Sequence, residues 1–225
     1  MLSVVIPAFN EANSIGELLR KVIKVDVFKE IIVVDDGSTD NTARIASRYP
    51  VKLIKHDVNR GKGAAIITGL KEAKGDIVIV QDADLEYDPE DYHLILTPFK
   101  YGFDAVYGSR RMNVYNNPYS KLSFYIGGNV LTIATNILYG LRLTDSSTCY
   151  KAVRREVLDD LNLDCERFEF CPMLTARLAK KGVKIFEVPI RYYPRSKKEG
   201  KKIKWTDGLE ALKTLLIEKF KNKKK

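Results

Sequence analysis

Along the first hundred residues, short β-branched runs alternate with segments whose apolar side chains recur at helical spacing. Leu2–Ile6 is one such run and predicts a strand. After it, Ile15, Leu18, Leu19, Val22 and Ile23 share one helical stripe, and Ser14 with Glu17 forms a capping-box pattern. Strands are predicted again over Glu30–Val34, Val51–Ile54, Ile77–Val80 and Asp104–Tyr107, with helices near Thr42–Arg48 and over Ala64–Ala73 between them. Apolar strands alternating with helices predict an α/β fold with a mostly parallel central sheet, covered by helices on both faces.

Ligands of such sheets bind outside the carboxyl ends of the strands. The polar clusters fall there: Asn10-Glu11, Asp35-Asp36, Asp82-Ala83-Asp84 and Ser109-Arg110. The convergence of four polar clusters on one sheet edge predicts the active site.

Two further segments are amphipathic or apolar. Leu122–Leu141 carries no charge and is bracketed by Lys121 and Arg142. Its length would allow a membrane span, but its serine, threonines, asparagines and glycines disfavour one. A buried helix and an interfacial or acceptor-contacting helix both remain open. A helix starting near Thr206, read as its N-cap, puts Leu209, Leu212, Leu216 and Phe220 on one side and lysines elsewhere. It either docks on the body or meets an anionic bilayer, where a well-placed lysine contributes about 1 kcal/mol. The chain thus divides into a body over 1–204 and a basic amphipathic helix and tail over 205–225.

Composition narrows the classes. At 225 residues the chain is one domain of ordinary composition, 45% hydrophobic and 30% charged. A domain this long buries about 70% of its unfolded surface without disulfides or a structural metal. Net charge is +9, and residues 195–225 hold twelve lysines and arginines against four acids, so the body is nearly neutral and the end basic. Cys149, Cys165 and Cys171 form no CxxC pair, and His56 and His93 stand far apart, which excludes a zinc pattern. Reduced cysteines and no recognisable signal peptide predict a cytoplasmic protein. No nucleic acid partner is expected, since Phe220 is the one aromatic in 206–225 that could stack on a base.

The chemistry follows from spacing. Asp82 and Asp84, one residue apart at a strand exit, can hold Mg²⁺ or Mn²⁺ between protein and diphosphate, with Glu86 and Asp88 extending the cluster. Asp36 at another strand end can accept hydrogen bonds from a base or ribose. Gly61-Lys62-Gly63 opens a helix and could admit a phosphate to its N-terminus, helped by Lys62. No GxSxG elbow or GxxxxGK[ST] loop is present. The pattern is that of metal-assisted group transfer.

Val4-Val5-Ile6-Pro7-Ala8-Phe9-Asn10-Glu11, Ile32 through Asp40, Asn59-Arg60-Gly61-Lys62-Gly63, Asp82-Ala83-Asp84 and Gly108-Ser109-Arg110 together resemble family 2 glycosyltransferases of the GT-A fold. Thr144-Asp145 through Lys151, Phe168-Glu169-Phe170, Val188-Pro189-Ile190 and Glu199 through Ile203 resemble the dolichyl-phosphate mannose and glucose synthase branch. The resemblance spans about residues 2–212. It implies that Pro7, Phe9, Glu11, Val34 and Asp36 hold the nucleoside, with Asp82 and Ala83 against the nucleotide. Asp84, with Asp82 and Glu86, would bind Mg²⁺ or Mn²⁺. Arg110 and Lys202 would meet the phosphates of acceptor and donor, and Asp145 matches a position proposed as an acceptor-side base or a structural residue. Glu86 stands where Gln is frequent in the branch, Lys201 where Ser is, and Met173 where Glu is.

The expected activity is inverting, metal-dependent transfer of a hexose, mannose or glucose, from GDP-mannose or UDP-glucose to a polyprenyl or dolichyl phosphate. The expected location is the cytoplasm, with peripheral contact on the cytoplasmic face of an anionic membrane. A glycosyltransferase extending a soluble or lipid-linked glycan, with Asp145 as base, is the alternative within enzymes. A silent nucleotide-sugar-binding regulator is the alternative outside them.

Overall fold

The protein is described here from a computed structural model, which covers residues 1–112, 115, 117, 118, 122–167, 169–195 and 205–221. Its strands are β1 (Leu2–Ala8), β2 (Lys29–Asp35), β3 (Lys52–Lys55), β4 (Ile77–Val80), β5 (Ala105–Ser109), β6 (Lys151–Arg154) and β7 (Ile185–Pro189). Its helices are α1 (Ile15–Lys24), α2 (Thr42–Ala46), α3 (Lys62–Glu72), α4 (Tyr92–Leu96), α5 (Leu122–Tyr139), α6 (Arg155–Asp159), α7 (Phe170–Lys180) and α8 (Trp205–Phe220). The strands form one sheet in the order β3-β2-β1-β4-β6-β5-β7. All neighbours pair in parallel except β6, which runs antiparallel between β4 and β5.

Alternation along β1 divides the core. Val4 and Ile6 pack with Ile15, Leu18, Leu19 and Val22 of α1 and with Tyr92 and Ile95 of α4. Val5 faces the other way, with Ile32, Val34, Val78 and Val80, toward Ala65 and Ile66 of α3 and Leu174 and Leu178 of α7. Each face is covered by helices, as the uninterrupted apolar strands require.

The expected elements are present with shifted ends. β1, β2 and β5 run on to Ala8, Asp35 and Ser109. Helix α3 opens at Lys62 because Gly61, at φ +98°, makes the turn directly before it. The capping box does not form: the Ser14 hydroxyl donates to Glu11 Oε2 at 2.8 Å and makes no cap bond into α1. Thr206 is not an N-cap either, since α8 begins one residue earlier.

Two strands, β6 and β7, were not expected, and β6 matters most. Running against β4, it pairs Ala152 with Ile79, which brings the preceding loop, Thr144–Tyr150, to the carboxyl edge of the sheet.

Helix α5 is inverted relative to an ordinary surface helix. Thr132 and Thr135 are its buried residues, while Leu122, Tyr125, Ile126, Val130, Ile133 and Ile137 are exposed. Its inner polar groups bind the chain beneath. Thr132 Oγ1 accepts from the Ser146 N–H at 3.1 Å, and Asn136 exchanges two hydrogen bonds with the Leu143 backbone. Helix α8 docks on α5 and α7: Tyr139 donates to the Leu215 carbonyl at 2.7 Å, and Arg177 makes a two-pronged pair with buried Glu218. Among the described residues no helix is long and apolar enough to cross a membrane.

Candidate active site

A cleft of about 570 Å³ lies at the carboxyl edge of the sheet. Pro7, Phe9, Glu11, Asp36, Lys62, Asp82, Ala83, Asp84, Glu86 and Arg110 all line it. Val34 does not; it is wholly buried in the core under α3. Asp145 stands behind Arg110, outside the lining. Lys202 lies outside the described residues.

The acidic end begins where β4 stops. Gln81 is fixed there by the hydroxyls of Tyr92 and Tyr150, both donating to its Oε1, and it donates from Nε2 to the Asp82 carbonyl. The chain then turns through Leu85, whose φ of +63° is a left-handed conformation that a branched residue adopts at a cost of about 1–3 kcal/mol. The turn lets Asp84 Oδ1 accept from the Glu86 N–H at 3.1 Å.

Burial, with Asp82 and Glu86 close by, pushes the Asp84 carboxyl up to about 7. Lys62 Nζ reaches Asp82 Oδ1 at 2.6 Å and Cys149 Sγ at 3.3 Å. Burial opposes the charge, but Asp82 together with Cys149 and Cys171 holds the Lys62 ammonium well above the ordinary lysine value. Glu86 accepts from the Tyr192 hydroxyl at 2.8 Å and from the Arg195 N–H at 2.7 Å.

Asp36 organises the neighbouring loop. Its oxygens accept from the backbone N–H groups of Arg60 and Gly61 at 2.9 and 2.8 Å, and Oδ1 lies 2.7 Å from His56 Nδ1. The expected room for a phosphate beside Gly61 and Gly63 is filled by protein. A Cβ at Gly61 would lie 2.3 Å from the Glu166 carbonyl oxygen, and one at Gly63 would lie 2.7 Å from that of Arg167. The Ala64 N–H also donates to Glu166. These glycines therefore admit the 166–167 backbone, and the cleft wall on this side is backbone against backbone.

Across the cleft, Arg110 follows β5. Its Nε and Nη2 donate to the two oxygens of Asp145 at 2.6 and 2.8 Å, and its guanidinium lies over the Tyr192 ring. Asp145 is 0% exposed. Burial opposes its ionisation, but Arg110 holds its carboxyl below the usual carboxylate range. The Asp145 N–H is in turn bound by Glu187 Oε1 at 3.0 Å, from β7.

Among the described residues no three His, Cys, Asp or Glu side chains are grouped to hold a metal ion. A Mg²⁺ or Mn²⁺ site does not require three, because such ions commonly take one or two carboxylates and complete their shell with phosphate oxygens and water. The donor set fits a hard cation, and the raised Asp84 carboxyl is one that an added positive charge would ionise.

The family model for Glycosyl transferase family 2 matches residues 3–161, which hold the whole cleft except the 166–167 wall and the Tyr192–Arg195 segment. The chain is a family 2 glycosyltransferase. It is 35% identical over 227 residues to the uncharacterised protein MJ1222 of Methanocaldococcus jannaschii, covering 96% of this chain and 91% of that one. It is 33% identical over 211 residues to a dolichol-phosphate mannosyltransferase of Pyrococcus furiosus. It is 34% identical over 196 residues to an undecaprenyl-phosphate 4-deoxy-4-formamido-L-arabinose transferase of Proteus mirabilis. Those alignments cover 89% and 82% of this chain but only 58% of either named relative, so the glycosyltransferase spans little more than half their length.

Among solved structures, glucosyl-3-phosphoglycerate synthase of Mycobacterium tuberculosis, with Mn²⁺, UDP and phosphoglyceric acid, superposes with a TM-score of 0.74 at 22% identity. That match covers all of this chain and 80% of the other, and it shows the GT-A fold.

The glycosyltransferase also places in the cleft residues that sequence reasoning missed. Tyr87, Tyr192 and Arg195 line it, and Arg195 bridges Glu11 and Asp84. Tyr192 and Arg195 arrive through β7, whose short, half-exposed run carries no strong strand signal.

Proposed function

We propose that this glycosyltransferase moves a hexose, mannose or glucose, from a nucleoside diphosphate sugar to a polyprenyl or dolichyl phosphate, with inversion and with a divalent cation. The observation that carries the reading is the pairing, across one cleft, of an acidic strand exit at Asp82–Asp84 with an arginine, Arg110, whose charge is fixed by buried Asp145. The acidic end suits a metal-bound diphosphate and the arginine suits a second, acceptor phosphate. The names of the lipid-phosphate sugar transferases in Pyrococcus furiosus and Proteus mirabilis support that acceptor class.

In this reading Pro7, Phe9, Glu11 and Asp36 form the nucleoside end of the cleft, and Val34 supports it from the core. Asp84, with Asp82 beside it, would hold Mg²⁺ or Mn²⁺; Glu86, bound to Tyr192 and Arg195, supports the turn. When bound, the cation supplies Lewis-acid neutralisation of the departing diphosphate. Arg110 orients an acceptor phosphate oxygen for in-line attack on the anomeric carbon, as the bond from that carbon to the donor diphosphate breaks. Lys202 is assigned to a phosphate on the strength of the sequence resemblance. A phosphate nucleophile is already anionic, so no base is needed. Asp145, buried and engaged by Arg110 through both oxygens, is a positioning residue rather than a base.

The membrane part of the proposal rests on the outer face of α5 with exposed Leu209, Leu216, Ile217 and Phe220 of α8, in a sequence whose end is rich in lysine. Exposed apolar side chains combined with a basic segment suit peripheral contact with the anionic cytoplasmic leaflet.

The test is transfer of radiolabelled sugar into an organic-extractable product, from GDP-mannose and UDP-glucose in parallel, with polyprenyl phosphate and Mg²⁺ or Mn²⁺. Metal-dependent label in the lipid phase from one donor is expected, and Asp84→Ala should lower it by about 10³-fold or more while leaving the fold intact. Donor hydrolysis without lipid label would discard the lipid acceptor, and full turnover in Asp84→Ala would remove Asp84 from the mechanism.

A further inference from the structure

Arg195 is placed where a cation belongs. Its Nη1 lies 3.0 Å from Glu11 Oε2, and its Nη2 lies 3.3 Å from Glu11 Oε1 and 3.2 Å from Asp84 Oδ2. One guanidinium thus ties the loop after β1 to the turn after β4. The segment that carries it is fixed on the same acidic turn. The N–H groups of Arg195 and Tyr193 donate to the carboxylate and the carbonyl of Glu86, and Tyr192 donates its hydroxyl to the same carboxylate.

The guanidinium is not saturated there. Its Nε is buried and, among the described residues, has no hydrogen-bond partner. The pair also differs from Arg110–Asp145, where one arginine meets one carboxylate through both oxygens.

A divalent ion at Asp84 and a guanidinium on Asp84 Oδ2 are like charges competing for one carboxylate. A bare cation arriving alone must displace Arg195 from Asp84 and sit beside its half-buried guanidinium, which still holds Glu11, and that is unfavourable. A cation arriving with a diphosphate brings a replacement partner, because a guanidinium fork matches phosphate oxygens as well as carboxylate oxygens.

We infer that Arg195 stands in for the divalent cation in the nucleotide-free protein, so that the cation binds tightly only together with a nucleoside diphosphate that takes Arg195 over from Glu11 and Asp84. Arg195 is then a positioning residue that couples the two ligands. The coupling is reciprocal: the factor by which nucleotide tightens metal equals the factor by which metal tightens nucleotide. The inference rests on the proposed cation site at Asp84.

The experiment is Mn²⁺ titration of the whole protein, reading free aqua-Mn²⁺ by electron paramagnetic resonance, alone and with saturating UDP or GDP. Wild type and Arg195→Gln are compared, with Arg195→Lys as the conservative variant and thermal melts to confirm folding. Wild type is expected to bind Mn²⁺ weakly alone and tightly with nucleotide. Arg195→Gln should bind Mn²⁺ alone about 10-fold tighter and lose nucleotide enhancement by a similar factor, which is a coupling of the usual size. Arg195→Lys, which keeps a charge, should fall between. A structural defect would weaken binding, so a gain is diagnostic. If nucleotide enhances Mn²⁺ binding equally in wild type and Arg195→Gln, the inference is overturned and the cation site stands; if Arg195→Gln unfolds, an unchanged Arg195→Lys overturns it in the same way. If neither nucleotide supports Mn²⁺ binding in any variant, the cation site itself is overturned and this inference with it.

Discussion

Two arginine–carboxylate pairs stand at the cleft, and they are built differently. Arg110–Asp145 is closed: the carboxylate is fully buried, both its oxygens are used, and Tyr192 covers the guanidinium. Arg195 with Glu11 and Asp84 is open: its contacts are spread over two carboxylates at 3.0–3.3 Å, and among the described residues one donor is left over. A closed pair holds one geometry, whereas an open one can exchange partners. The contrast assigns the first to scaffold and the second to ligand exchange.

Breaking the closed pair carries the largest expected effect. Asp145→Ala leaves the Arg110 charge half-buried and unpaired, and an uncompensated charge of this kind costs about 3–5 kcal/mol. Urea unfolding at pH 7 checks it. The pH dependence has a definite sign. The folded Asp145 carboxyl sits below its unfolded value of about 3.9, so the unfolded chain binds more protons between those two values. The stabilisation is complete above the unfolded value and is lost as pH falls through the folded one. Asp145→Ala should therefore flatten the acid limb of the stability curve.

Asp84 should behave in the opposite way. Its carboxyl is raised from 3.8 to about 7, so the folded protein binds the extra proton and, without metal, stability falls as pH rises from about 4 to 7. Asp84→Asn should then raise stability at pH 8 by about 4 kcal/mol relative to wild type, with the gain vanishing near pH 4. Melts across pH in chelator show which holds. A loss of stability at pH 8 would mean that the open cluster is scaffold after all, and the comparison would collapse.

Much of this contrast was readable from residue order, and part of it was not. Asp82 and Asp84 could be placed because an uninterrupted apolar run, Ile77–Val80, fixes the strand and the sheet fixes which end binds ligands. Asp36 was placed correctly at the cleft, but its engagement with Arg60, Gly61 and His56 is a loop closure that spacing does not announce. Gly61 and Gly63 illustrate the same limit. Glycine signals close approach, but only the fold shows that the approaching group is the 166–167 backbone. Arg195 escaped notice because it meets Glu11 from 184 residues away, and charge pairing at that separation leaves no periodic trace. Helix α5 shows why a pattern can mark an uncharged helix and stay silent about its direction. The uncharged run was visible, but which face turns inward was decided by partners for Thr132 and Asn136 in the 143–146 loop.

That inversion yields the smallest effects on stability and the sharpest test of what α5 is for. Thr132 supports the closed pair from behind, since the loop it binds through Ser146 is the one that carries Asp145. Thr132→Val removes the acceptor of a buried N–H and should cost about 1–3 kcal/mol. One residue away, Ile133 is 58% exposed and Ile137 is 78% exposed. Replacing both by Ser removes apolar side chains that already face solvent, and each change should stay within about 0.5 kcal/mol. Yet the double variant should lose association with vesicles rich in anionic lipid in a flotation assay, while Thr132→Val, where folded, keeps it. If the double variant instead unfolds easily and still floats, the outer face of α5 is packing surface, and the membrane contact must be sought on another face.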